Sequence, residues 1–169
     1  MNGVTLALRA LHHGEKHLAE HLTAVAGRHR TEHEIHHVAT DVALWSREHV
    51  RRLADTGHHY GLDLGEAPDA SDSGVLTMLR EKAAEAVGRR PEPGLLLLRD
   101  LRDLHLGATE NSLYWEMLAQ AAQAAQAAQA AKDDRLLTLA SSCHPQTLRQ
   151  MRWTNTMIKN LGPQILTSL

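Results

Sequence analysis

Four residues with metal-binding side chains occupy positions where helical periodicity calls for an apolar residue. They are Glu15, His49, Glu110 and His144. Each continues a series of residues three or four apart, which is the spacing of one helix face: 8, 11, 15, 18 and 22; 42, 45, 49 and 53; 106, 110, 113 and 117; 137, 140, 144 and 148. Because a carboxylate that faces a core is costly unless it is paired or metal-bound, the sequence predicts four helices that each direct one metal ligand inward.

The offsets between these residues repeat in the two halves of the chain. Both histidines close a Ser-x-x-His segment, the first beginning at Ser46 and the second at Ser141. Glu15 lies 31 residues before Ser46, and Glu110 lies 31 residues before Ser141. The two histidines are 95 residues apart, as are the two glutamates. The equal offsets indicate two halves related by pseudo-symmetry around one metal centre.

Other interpretations of these residues remain open at this point. Glu15 could form a buried ion pair with Arg47 or Arg51 instead of binding a metal. Taken alone, His144 is more typical of a core histidine that hydrogen-bonds to a neighbour. Glu116 competes with Glu110 as the carboxylate of the third helix, and Tyr114 beside it is more typical of a packing residue than of a radical site.

Histidine rows offer a different metal site, on the surface. Of the 13 histidines, His13, His17 and His21 repeat every four residues, and His29, His33, His37 and Asp41 do the same further along. Imidazoles four apart on a helix bind zinc, nickel or copper readily. A solvated row without metal is the commoner arrangement, so the rows predict either an exposed, pH-sensitive face or a surface metal buffer.

The elements that must position these residues are helices. Apolar spacing predicts helices over residues 4–26, 31–57 (with Thr31 as N-cap), 95 onward and 134–161, the last kinked or broken at Pro145. No run alternates between apolar and polar residues as a strand would. The repeat QAAQAAQAAQAA at 120–131 has high helix propensity and no fixed face. We interpret it as a tolerated expansion that extends a helix or bulges at its end.

The connections between helices predict the topology. A linker of about four residues makes the first two helices antiparallel neighbours, and residues 132–134 supply a similar turn for the last two. Between the hairpins lies a long connection that contains turn residues and a short helix at Val75–Val87. The sequence therefore predicts one all-α domain over 1–169, a four-helix bundle of two antiparallel hairpins joined by a long crossover.

The ligand pattern and the topology together resemble the ferritin-like superfamily of di-iron carboxylate proteins. That family places one Glu on each of two helices and Glu-x-x-His on each of the other two. By this resemblance Glu15 and Glu110 are the single carboxylates, and His49 and His144 are the two imidazoles. The chain departs from the pattern at Ser46 and Ser141, where the family has glutamates.

The resemblance implies a protein that binds a divalent metal ion, iron first, with zinc or manganese as alternatives. It also implies redox or oxygen-dependent chemistry, with a small-molecule substrate of unknown identity, and it is compatible with a homodimer. The alternative is a non-catalytic helical bundle that has lost its metal site and acts in protein assembly or interaction.

Composition excludes several other classes of protein. The formal net charge of −2 lacks the clustered basic face typical of nucleic-acid binding. A single cysteine, Cys143, excludes an intrachain disulfide framework. The N-terminal stretch has no leader-like pattern, and no segment has the roughly 18 apolar residues of a membrane span. These features predict a cytoplasmic protein that binds neither membrane nor nucleic acid.

Overall fold

The computed structural model describes residues 2–65, 92–128 and 134–169, and this part of the chain contains helices and no strand. The expected all-α class and the four principal helices are confirmed. The short helix expected at Val75–Val87 lies outside the described residues. The helices are α1 (Gly3–Arg28), α2 (His33–His58), α3 (Pro93–Ala127) and α4 (Arg135–Thr167).

Helix ends follow local side-chain chemistry. The Asn2 side chain accepts a hydrogen bond from the Thr5 amide at the start of α1, and Glu92 does the same for Leu95 at the start of α3. The expected cap of α2 at Thr31 is wrong, because the helix begins after Glu32. Pro145 does not break α4. Pro145 is exposed. Solvent can therefore hydrogen-bond to the backbone carbonyl that the proline leaves without a helical N–H partner.

Each helix packs against two others, and all four packed pairs are antiparallel. Arg28 at the end of α1 contacts Asp100 near the start of α3, whereas Glu15 contacts Trp115 further along that helix. The pairs α1–α2, α2–α4 and α3–α4 run antiparallel in the same way. The remaining pairs, α1 with α4 and α2 with α3, are diagonal and parallel. Because α2 and α3 are parallel, the end of α2 and the start of α3 lie at opposite ends of the bundle.

The interior has two apolar clusters, one towards each end of the bundle. One contains Leu18, Leu22, Ile35, Leu101 and Leu104, and the other contains Leu8, Leu11, Leu53, Trp115 and Leu118. Within the described residues, no helix has the length and apolar character needed to cross a bilayer. The repeat that starts at Gln120 is helical through Ala127, with Ala122 buried.

Candidate functional site

A layer of polar side chains crosses the middle of the bundle, between the two apolar clusters. Every helix contributes to this layer, and each of its members is at most 5% exposed. The polar layer consists of Glu15 on α1, Ser46 and His49 on α2, Asn111 and Ser112 on α3, and Thr147 and Gln150 on α4. Buried polar groups carry a desolvation cost unless they are hydrogen-bonded or bind a ligand. The polar layer in the middle of the bundle is therefore the candidate functional site.

Glu15 is the acceptor at the centre of this layer. Its side chain is 0% exposed. Oε1 accepts hydrogen bonds from Trp115 Nε1 at 3.0 Å and from Thr147 Oγ1 at 3.5 Å, and His49 Nδ1 lies 3.1 Å away. The indole also packs edge-on against the His49 ring, with 5.7 Å between centroids. One carboxylate oxygen thus joins groups from all four helices.

His49 forms an ion pair with Glu15. Its Nε2 lies 2.8 Å from Gln146 Oε1, so both ring nitrogens face oxygen atoms. Burial lowers the pKa of His49, but the neighbouring Cys143 and Glu15 outweigh burial and raise it to about 10. The imidazole is therefore protonated at neutral pH, and the layer contains a buried imidazolium–carboxylate pair.

Ser46 and Gln150 form the adjoining part of the layer. The amide nitrogen of Gln150 donates to Ser46 Oγ at 2.9 Å and to the backbone oxygen of Val42 at 3.0 Å. Thr147 and Gln150 are three residues apart on α4, as Ser46 and His49 are on α2, so the two helices face each other with matching spacing. On α4 it is therefore Thr147 and Gln150 that lie in the polar layer with Ser46 and His49, whereas Ser141 is exposed and His144 contacts Ser112.

Three buried atoms of the layer have no hydrogen-bond partner among the described residues. They are Glu15 Oε2, Gln150 Oε1 and Asn111 Nδ2. Two of the three are acceptor oxygens, which is the type of atom that binds a cation or a polar hydrogen. A buried group without a partner calls for a specific explanation, and a bound ion or water is one of the usual ones.

The structure brings together only two of the four expected ligands. Glu15 and His49 are in contact, but Glu110 is exposed on the outer face of α3. His144 is half-buried, and its Nε2 lies 2.8 Å from Ser112 Oγ. The inward placement of the series 106, 110, 113 and 117 is wrong, because Leu106, Leu113 and Met117 are all more than half exposed.

The structure also places the residues that were alternative partners or ligands. Arg47 donates to Thr23 at 2.7 Å, and Arg51 pairs with Glu48 and Asp55, so neither is the partner of Glu15. Glu116 is exposed and does not enter the layer. Tyr114 packs, partly buried, against one apolar cluster, consistent with the packing role.

The histidine rows do not converge on a ligand set in the described structure. Rings four residues apart are about one helical turn from each other, with centroids 6.1 Å apart for His17–His21 and 6.3 Å for His33–His37. His29 instead faces Asp100. Among residues 2–65, 92–128 and 134–169, no group of three or more His, Cys, Asp or Glu side chains could hold a metal ion.

A second buried charge cluster, at the α1–α3 end, was not expected from the sequence. Asp100 is 1% exposed, and its Oδ2 accepts from Arg28 Nε at 3.0 Å and lies 2.8 Å from His29 Nε2. Burial raises the pKa of Asp100, but His29, Arg28 and Arg99 outweigh it, so the net pKa is lowered. This cluster ties the end of α1 to the start of α3. The sequence feature that could have indicated this cluster is an aspartate within the leucine-rich start of α3.

The donor set does not fit the di-metal centre that the resemblance implies. Such a centre takes about six protein ligands, mostly carboxylates. Here the side chains that hydrogen-bond to Glu15 and His49 include Trp115, Thr147 and Gln146, with Cys143 also beside His49. Trp115, the α3 side chain in contact with Glu15, contributes an N–H donor and a large apolar surface, not a carboxylate. One carboxylate and one imidazole can serve at most a single ion.

Comparison of the chain with protein-family models, with curated proteins and with solved structures gives no match.

Proposed function

We propose that this protein is a ferritin-like helical bundle that binds one divalent metal ion in its polar layer, with Glu15 and His49 as ligands. The observation that carries the proposal is Glu15 Oε2, a fully buried carboxylate oxygen with no hydrogen-bond partner in the described structure, beside an imidazole. The antiparallel hairpins, the parallel direction of α2 and α3, and the mid-bundle layer support the ferritin-like assignment.

The distances in the layer suit one shared ion. Glu15 Oε1 and His49 Nδ1 are 3.1 Å apart, and two ligands at about 2.0–2.1 Å from a tetrahedral ion are separated by about 3.3 Å. The carboxylate that would share an ion with His49 also carries the unpartnered Oε2. Two further oxygens of the layer, Thr147 Oγ1 and Gln150 Oε1, are hard donors. Oxygen atoms with one imidazole suit iron, manganese or zinc rather than a soft ion. The metal would supply positive charge in place of the His49 proton.

The first experiment measures metal per chain in untagged protein and the shift in melting temperature with added Fe²⁺, Mn²⁺ or Zn²⁺. Binding to the native state raises the melting temperature with the logarithm of metal concentration. We expect stabilisation of the wild type and none in Glu15→Gln or His49→Gln. Matched controls of the same residue types outside the layer, the exposed Glu110→Gln and His58→Gln, should respond as the wild type does.

Two other results would exclude the core ion. Stabilisation that survives Glu15→Gln and disappears in the double variant His17→Gln, His21→Gln would place the metal on the surface rows. A wild type that neither contains nor responds to any of the three metals would contradict the proposal outright.

A second candidate is a bundle without a metal, in which the ion pair fills the place of the metal site. It is favoured by the three groups around Glu15 Oε1 and by the raised pKa of His49, which keeps a proton where a metal would bind. The protein would then act through its outer surface in assembly or interaction. The same titration separates the two candidates, because this one predicts no metal effect in any variant.

A further inference from the structure

The outer face of α3 carries a line of exposed apolar residues. Leu106, Leu113 and Met117 are 58%, 55% and 51% exposed. They are seven and four residues apart, which on an α-helix turns the side chain by only about 20° and 40°. The exposed Glu110 lies between Leu106 and Leu113 on the same face. Grouped exposed apolar residues, unlike scattered ones, mark interaction surfaces. This face points away from the polar layer and takes no part in the proposed metal site.

Charged residues flank this line in a self-complementary order. Arg102 lies one turn before Leu106, and Glu116 lies one turn after Leu113. Read from either end, Arg102, Leu106, Thr109, Leu113 and Glu116 have spacings that alternate between four and three, with Thr109 in the centre. When two antiparallel copies of the helix are aligned on Thr109, each Leu106 lies about one residue, or about 1.5 Å along the axis, from the level of the other copy's Leu113. Each Arg102 then meets the other copy's Glu116.

We propose that this face is the interface of a homodimer in which two copies of α3 pack antiparallel around a two-fold axis at Thr109. A two-fold interface is isologous, so one surface must complement itself, and the order of residues on α3 satisfies that condition. Leu148 of α4, 41% exposed, adds apolar surface at the height of Thr109, as the contacts Ser112–His144 and His105–Met151 indicate.

The charges of this face can change partners when the dimer forms. Arg102 pairs with Asp103 on its own helix at 2.9 Å, and the Arg102 side chain is 64% exposed. An exposed pair of this kind contributes little to stability. The guanidinium has five N–H donors, so it can contact Glu116 of the second copy without leaving Asp103.

The test is sedimentation velocity of the full-length chain over about 1–100 µM, the range in which an interface of micromolar Kd responds to concentration. We expect a dimer in the wild type and a monomer in Leu113→Asp. Leu44→Asp is the matched control, because Leu44 is 55% exposed on α2, which is diagonal to α3. Helicity by circular dichroism verifies that each variant is folded.

Charge reversal tests the arrangement itself. R102E or E116R alone should raise the dissociation constant about tenfold or more, since each places like charges opposite one another twice per dimer. The double variant R102E/E116R restores opposite charges and should recover most of the wild-type affinity. A monomeric wild type, a dimer that survives Leu113→Asp, or a double variant as weak as the single ones would overturn the inference. So would a photo-crosslinker at position 113 that reacts with residues 66–91 of its own chain.

Discussion

The indole nitrogen of Trp115 on α3 donates a hydrogen bond to Glu15 Oε1 on α1 at a distance of 3.0 Å, and both residues are fully buried. Trp115 thus contributes a donor to the polar layer as well as apolar surface to one of the clusters. A tryptophan that is buried completely needs such an acceptor for its N–H group. The contact makes Glu15 part of the packing of α3 on α1, whether or not the carboxylate also binds a metal.

Removing Glu15 alone should be more damaging than removing the whole ion pair. Glu15→Leu removes the counter-charge of His49, so the buried imidazole either gives up its proton or stays as an unpaired charge, at a cost of up to about 3–5 kcal/mol. The double variant Glu15→Leu, His49→Leu leaves no unpaired charge and should recover part of that loss. Urea unfolding of the four proteins in this cycle measures the coupling. Strictly additive losses would show that the two side chains are not a charged pair in the folded state.

Stability should decline on the alkaline side because of His49. The pKa of His49 is raised to about 10 in the folded state, whereas an unfolded histidine titrates near 6.5. The folded state therefore binds the proton of His49 more tightly than the unfolded state does. The stabilisation that this gives is complete below about pH 6.5 and is lost as the pH rises through about 10. The free energy of unfolding, measured from pH 6 to 10, should fall in the wild type. In His49→Gln most of this pH dependence of the free energy of unfolding should vanish. If the variant showed the same pH dependence as the wild type, other groups would be its cause.

On the acidic side, Asp100 should dominate the loss of stability. Its pKa is lowered in the folded state, so its contribution is complete above the unfolded value near 3.9 and disappears as the pH falls through the folded pKa. Asp100→Asn should cost about 3–5 kcal/mol at neutral pH, because Arg28 and His29 lose a buried partner. The control Asp103→Asn, in an exposed pair, should cost less than about 1 kcal/mol. Equal losses in the two variants would contradict the assigned role.

Deleting one QAA unit should be tolerated. The units are identical, so a deletion leaves alanine at the buried position 122 and shortens the chain only beyond it, where residues 123–128 are exposed or half-buried. We expect urea unfolding to show a loss of about 1 kcal/mol or less, within the range of an ordinary substitution. Ala122→Asp is the contrasting variant and should cost more, since it buries an unpaired charge. A loss of several kcal/mol on deletion would mean that the rest of the run is packed helix.

For α1 and α2, much of the outcome was determined by the sequence alone. Both helices are apolar on one face, so spacing identified the inward side and with it the polar exceptions Glu15 and His49. The short linker then required the two helices to be antiparallel neighbours. Contact between the two side chains, at 3.1 Å, follows from these two facts.

For α3 the sequence was insufficient, because this helix is apolar on two opposite faces. Leu97, Leu101 and Leu104 lie in the core, whereas Leu106, Leu113 and Met117 lie outside. Periodicity is the same for both faces, so local spacing cannot select the rotation of the helix. Packing against α1 and α4 selected it, turning Trp115 inward and Glu110 outward. The composition of the polar layer was therefore decided by the tertiary structure, since Thr147 and Gln150 become partners of α2 only after α3 and α4 have docked.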